Sequence, residues 1–172
     1  MSRTGAGKPT ANIAAVAQRE ESPQVSDATL CGFIGYHMKR AFNVVQADLN
    51  QTLKPLGLRM VTYSALVLIV DNPGLRQSQL AAALDVERAN LVVIVDELER
   101  RDLISRDRVP SDRRAYALNP TPAGQHLYER ALEAVRGHEA RMLNGMEEET
   151  KQAVIRAMSR IRRGSEGGSR GG

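Results

Sequence analysis

The sequence predicts a mainly α-helical fold in which a single β-hairpin interrupts a run of six helices. Three observations carry this reading. Over most of the chain apolar residues recur at three- and four-residue intervals, the mark of one buried helix face. One region, about 103–118, breaks that period and reads as two short strands about a Pro110-Ser111-Asp112 turn. Aromatic residues are only 3% of the chain and tryptophan is absent, so Leu, Val, Ile and Ala must build the core. Such a composition suits helices with aliphatic seams better than an aromatic-rich β-sandwich.

The first helix is expected over about 27–53, capped by Ser26 or Thr29 and ended by Pro55-Leu56-Gly57. Its seam is Leu30, Ile34, Ala41, Val45, Leu49 and Leu53. A second helix, about 60–70, carries Leu66, Ile69 and Val70 and stops at Asp71-Asn72-Pro73-Gly74. The third is short, 78–84. The fourth, about 87–101, turns Leu91, Ile94, Val95 and Leu98 inward. The strands cover 103–108 and 114–118. The fifth helix begins near Pro122 and carries Leu127, Ala131, Ala134, Val135 and Met142. The sixth, about 148–162, carries Val154, Met158 and Ile161, and Glu147, Glu148 and Glu149 favour its positive N-terminal end.

Helices three and four, joined by Leu84-Asp85-Val86, form a helix-turn-helix, and the hairpin behind them is a wing. The predicted fold is therefore a winged helix-turn-helix with long N- and C-terminal dimerisation helices. The outer seams find no partner inside the three-helix module, and a second copy is the simplest cover for them, so a homodimer is expected. The expected plan is a flexible arm at 1–25, a domain at 26–163 and a flexible tail at 164–172. Within the domain, residues 57–121 form the DNA-binding lobe, and 26–56 and 122–163 supply the dimerisation helices. Both ends are rich in small and polar residues that cannot bury enough surface to offset ordering.

Other classes are narrowed by what the chain lacks. Cys31 is the only cysteine, so neither an intrachain disulfide nor a four-cysteine metal site can form. No run approaches the ~18 apolar residues of a membrane span. Arg3 and Lys8 are not followed by the apolar stretch of a signal peptide, so a cytoplasmic location is expected. There is no phosphate-cradling glycine loop, metal-ligand cluster or nucleophile–base spacing, so no enzyme, cofactor or metal is expected. A formal net charge of +4 is compatible with an anionic partner.

A series of spaced motifs resembles the MarR (multiple antibiotic resistance regulator) family over about 30–161. Leu56-Gly57-Leu58 closes the first helix and Gln79-Leu80-Ala81 opens the tri-helical core. Residues 98–106, Leu-Glu-Arg-Arg-Asp-Leu-Ile-Ser-Arg, resemble the family's passage from recognition helix to wing. Asp112-Arg113-Arg114 is similar to its wing tip, and Thr121-Pro122-Ala123-Gly124 to its fifth-helix start. Asp102 departs from a usual glycine, and Pro120 from a usual Leu or Ile, which is expected to end the second wing strand early.

The resemblance implies a transcription regulator that binds double-stranded DNA at a palindromic operator, and a repressor released by a small effector. With its apolar face inward, the fourth helix turns Ala89 and Val93 outward, with Val92 beside them and Arg88 and Asn90 near its N-terminus. Early residues of a recognition helix reach base edges. Arg88 suits guanine, Asn90 adenine, and Val92 or Val93 a thymine methyl. Gln77 and Ser78, at the start of the third helix, suit phosphate. The resemblance assigns minor-groove entry to Arg114, oriented by Asp112; Arg106, Arg108 and Arg113 are expected on the DNA backbone.

Effectors of the family are often aromatic anions, so an aromatic carboxylate or its coenzyme A thioester is implied. Tyr36 and Arg40 are four residues apart, as are Arg59 and Tyr63, and such pairs suit a ring plus an anion. His37 falls on the seam of the first helix, where a satisfied core or interface histidine is the commoner reading, and joins this candidate ligand set. A ligand-independent architectural winged-helix protein is the alternative class. One branch of the family senses peroxides through a cysteine, but that cysteine would fall near Gly35 and its tyrosines near Lys39 and Leu49, so a redox role for Cys31 is the weaker alternative.

Overall fold

The computed structural model describes residues 25–109 and 112–168, with the backbone alone for 109, 112–115 and 165–168. The expected arm lies outside the described residues except for Val25, as do the last four residues of the expected tail. The described residues fall into two units divided between Met38 and Lys39.

In the first unit a 3-10 turn, Leu30–Gly32, precedes α1 (Ile34–Leu53), with Phe33 extended at φ −113° and ψ 128°. The first helix thus starts seven residues later than the period implied. Gly32 and Gly35 flank the break, and each weakens a helix by ~1 kcal/mol relative to alanine. Thr29 precedes the 3-10 turn without a side-chain cap, and the Ser26 hydroxyl accepts from the Ala28 N–H at 3.5 Å, ahead of the turn; further side chains hold the segment. The Tyr36 hydroxyl donates to the Asp27 carboxylate, and His37 Nε2 lies 2.9 Å from the Cys31 carbonyl oxygen. Leu30 and Ile34, expected on a buried seam, are 50% and 70% exposed.

The second unit contains the rest of α1, then α2 (Met60–Asp71), β1 (Leu75–Arg76), α3 (Gln77–Leu84) and α4 (Arg88–Arg100). The hairpin β2 (Ile104–Val109) and β3 (Asp112–Pro120) follows, then α5 (Pro122–Met142) and α6 (Glu148–Gly168). One core joins them, with Leu53, Leu66, Ile69, Leu80, Leu98, Ile104 and Leu118 fully buried. Of the α1 residues only Leu49 and Leu53 are buried, and none of residues 148–164 of α6 is. The last helix runs six residues past its expected end, into the supposed tail.

The sheet order is β1-β3-β2, all antiparallel. The two-residue β1 was not legible in the sequence, because it exists only through the pairing of Leu75 with Leu118 and Arg76 with Ala117. Pro120 does not end β3 early; it pairs with Ile104. The Thr121 N–H donates to Leu103 on the β2 side, and Leu118 accepts from Gly74 on the β1 side. Strand alternation then aims the missing Pro120 N–H past the end of β1, where no ladder bond is lost.

Left-handed backbone closes three helical segments: Gly57 (φ 65°) after α1, Asp85 (φ 52°) after α3, and Asp102 (φ 56°) after α4. Aspartate tolerates this region better than most residues, which explains how Asp102 fills a place where glycine is usual. At the root of the wing, the Thr121 hydroxyl accepts from the Gly124 N–H at 3.0 Å and donates to the Asp102 carbonyl at 2.6 Å. A Cβ on Gly124 would run into the Leu103 carbonyl group, its carbon only 2.8 Å away.

Candidate nucleic-acid interface

α3 starts one residue earlier than expected because the Arg76 N–H is capped by Gln79 Oε1 at 2.9 Å. This leaves Gln77 half-buried and Ser78 exposed on its first turn. At its end Asp85 donates to the Ala82 carbonyl at 3.3 Å and Val86 to that of Ala81 at 3.1 Å, so the chain turns sharply into α4. Ser78, Ala81, Ala82, Asp85, Val86, Glu87 and Arg88 line an open groove of about 470 Å³ there.

α4 has two faces. Leu91, Ile94, Val95 and Leu98 are buried, as their spacing required. Arg88, Ala89 and Asn90 are exposed, and Val92 and Val93 are 46% and 64% exposed. Two bare valines beside an arginine and an asparagine make a surface able to take up both methyl groups and hydrogen-bonding edges.

The wing divides the remaining arginines. Arg108 is exposed on β2, opposite the partly exposed Tyr116 of β3, a neighbour that the sequence reading did not single out. Asp112, Arg113 and Arg114 open β3, and their side chains lie outside the described residues. Arg106, expected on the DNA backbone, is engaged within the protein. Its guanidinium turns onto α4, ion-paired with Asp96 and 3.1 Å from Glu99 Oε2, and the side chain is only 21% exposed.

The candidate effector residues fall in both units. Tyr36 and His37 belong to the first and are engaged as described above; Arg40, Arg59 and Tyr63 belong to the second. Arg40 is exposed on α1. Arg59, the residue before α2, bonds Glu97 of α4 at 2.8 Å. Tyr63 is half-buried; burial pushes its phenol above the usual 10.0, Tyr128 and Asp71 add to this, and Arg136 opposes it. Tyr128 and Arg136 of α5 were missed, because only packing brings α5 to α2. Cys31 is exposed on the 3-10 turn and not within a helix.

Two further contacts escaped the sequence reading. Arg101, just past α4, donates to the carbonyls of Gly57 at 2.5 Å and Leu56 at 3.0 Å. His138 is buried against Asp48. Its place in the series Leu127, Ala131, Ala134, His138 was the available signal that it faces inward. Among the described residues, no group of three or more His, Cys, Asp or Glu could hold a metal ion, and no single helix is long and apolar enough to cross a membrane.

A helix-turn-helix carried on a helical core, with a hairpin wing directly behind it, defines a winged-helix protein. Residues 58–116 match the MarR family model. A protein proposed to regulate transcription of the hcr operon in Thauera aromatica is 38% identical over 108 residues, 62% of this chain. The match spans 65% of that relative, just under two thirds of its length. The transcriptional repressor CouR bound to a 23-mer DNA duplex has a TM-score of 0.77 at 32% identity, over 81% of this chain and 99% of that one. CouR from Rhodococcus jostii RHA1 bound to p-coumaroyl-CoA has a TM-score of 0.72 at 32% identity, over 79% of this chain and 95% of that one. The chain belongs to the MarR family of transcriptional regulators.

Proposed function

We propose that the protein is a homodimeric, sequence-specific DNA-binding repressor released by a small aromatic carboxylate or its coenzyme A thioester. One observation carries the DNA half: α4 buries one side completely and leaves Arg88, Ala89, Asn90, Val92 and Val93 bare on the other. In this reading Arg88 and Asn90 read base edges, the valines pack on thymine methyls, and Gln77, Ser78, Arg108 and Arg113 hold phosphates. Arg114, oriented by Asp112, enters the minor groove. The similarity to CouR, solved with a DNA duplex and with p-coumaroyl-CoA, supports both halves.

Dimerisation follows from surface left over. Phe42 and Val44 on α1 and Val154, Ile155, Met158 and Ile161 on α6 are 42–60% exposed, and each Å² they bury against a second copy contributes ~25 cal/mol. A two-fold dimer presents two recognition helices to a palindromic operator, half-sites ~34 Å apart. A regulator working on the chromosome places the protein in the cytoplasm.

The test is selection of duplexes from a random pool, followed by anisotropy titrations. Arg88→Ala is expected to lose ~1–3 kcal/mol and to relax preference at one position in each half-site. Arg114→Ala is expected to weaken binding to every sequence while the dimer stays intact. No enriched duplex, or unchanged preference in Arg88→Ala, overturns the reading. Benzoates, cinnamates and their coenzyme A thioesters are then titrated into the complex. An effector releases DNA only as far as it prefers the non-binding state, and DNA weakens the effector by the same factor. Release that is lost in Arg40→Ala or Tyr63→Ala places the effector beside those residues; release that survives both removes them from the site.

A further inference from the structure

Arg106 sits where a DNA contact was expected, but its geometry is that of a different task. The guanidinium leaves β2 and reaches two acids of α4, Nη2 to Asp96 and Nε to Glu99 at 3.1 Å. Asp96 and Glu99 are three residues apart and share one side of the helix. The arginine is the covered member, 21% exposed, while the carboxylates are 54% and 44% exposed. A phosphate-seeking arginine is extended into water, as Arg108 of the same strand is. Two separate nitrogens of its planar guanidinium meet the two acids, Nη2 by a hydrogen bond to Asp96 and Nε by charge alone, since the buried Nε–H makes no hydrogen bond among the described residues. Asp96 also lies one turn beyond Val92 and Val93, on a helix that is to approach phosphates, where an uncompensated carboxylate repels.

We propose that Arg106 is a positioning residue: it fastens the wing to the recognition helix and neutralises Asp96 and Glu99, without touching DNA itself. The proposal rests on the DNA-binding reading above. Wing and α4 then form one rigid piece, and the two grooves are met at a fixed mutual angle.

Affinity for the selected duplex is measured for four proteins: wild type, Arg106→Ala, Asp96→Asn with Glu99→Gln, and all three substitutions together. Arg106→Ala is expected to weaken binding on the order of tenfold in the wild-type background and less than about twofold once the carboxylates are gone. An equal loss in both backgrounds means that the guanidinium contacts DNA directly and overturns the proposal; so does wild-type binding by Arg106→Ala. At saturating Arg106→Ala protein, guanine N7 protection in the major groove persists while minor-groove protection under the wing is lost. Loss of both indicates general damage and also overturns it. A measurement without DNA separates this idea from the reading beneath it. Spin labels at Val92→Cys and Arg108→Cys, in a Cys31→Ser background, give one narrow distance that broadens on adding Arg106→Ala. An unchanged distribution overturns the fastening, whereas failure of the wild type to select any duplex overturns only DNA binding.

Discussion

His138 Nδ1 lies 2.6 Å from Asp48 Oδ2, joining α5 to α1 across 90 residues of chain. The imidazole is only 4% exposed, while the Asp48 side chain remains half in water. A buried ring nitrogen without a partner loses its solvation and recovers nothing, so the bond matters more by its absence than by its own strength. Asp48→Ala is expected to cost ~1–3 kcal/mol in urea unfolding, and His138→Ala a similar amount. The double variant should cost clearly less than the sum. Strict additivity would mean that the pair is not coupled.

Gly124 tests the junction between wing and α5. Replacing a helical glycine by alanine ordinarily stabilises by up to ~1 kcal/mol. Here the new methyl would strike the Leu103 carbonyl, backbone that also accepts from the Thr121 N–H. Gly124→Ala is therefore expected to destabilise by ~1–3 kcal/mol, the cost of overpacking, with a lower melting temperature. A variant as stable as wild type would show that the junction can widen freely.

Asp102 has the opposite expectation. Its φ of 56° is a conformation that glycine adopts without steric cost. Asp102→Gly should stabilise the fold by a few tenths to ~1 kcal/mol, and Asp102→Val should destabilise it by more than that. Both are read from thermal melts at one protein concentration. Equal melting temperatures for Gly and Val would contradict the backbone argument.

Tyr63 sets a pH dependence at the alkaline end. Burial, followed by Tyr128 and Asp71, raises its folded-state pKa above 10.0. The unfolded chain therefore gives up this proton first. The stabilising contribution is fully present below pH ~10 and is lost as pH rises from there through the folded value. Tyr63→Phe should flatten the decline of stability above pH ~10 and leave the neutral range unchanged in slope. Urea melts between about pH 8 and 11 check this, and an unaltered alkaline slope would refute it.

Leu91, Ile94, Val95 and Leu98 were legible as the inner face of α4, since a helix converts spacing into direction without outside help. The Asp71-Asn72-Pro73-Gly74 stop and the Thr121-Pro122 start were legible for the same local reason. The seam of α1 was read correctly in period only from Ile34 onward, since Leu30 lies in the turn ahead of the helix, and it was not read correctly in burial: Ile34 stays exposed, because burial needs a partner surface. The wing arginines looked alike in sequence, yet Arg106 turns inward and Arg108 outward.

The sequence by itself determined the order of helices, the helix-turn-helix with its wing, and the side of α4 that stays bare. Each of these depends on residues within a few positions of one another, where backbone period and turn chemistry act alone. Only the tertiary structure decided that Leu75 and Arg76 form a strand, that Pro120 costs the sheet nothing, and that His138 meets Asp48. It also decided that Arg106 faces two acids of α4. In each of those cases the deciding partner is remote in the chain or lies on another element, and a hydrogen bond or ion pair has no direction until packing has brought both groups within about 3 Å.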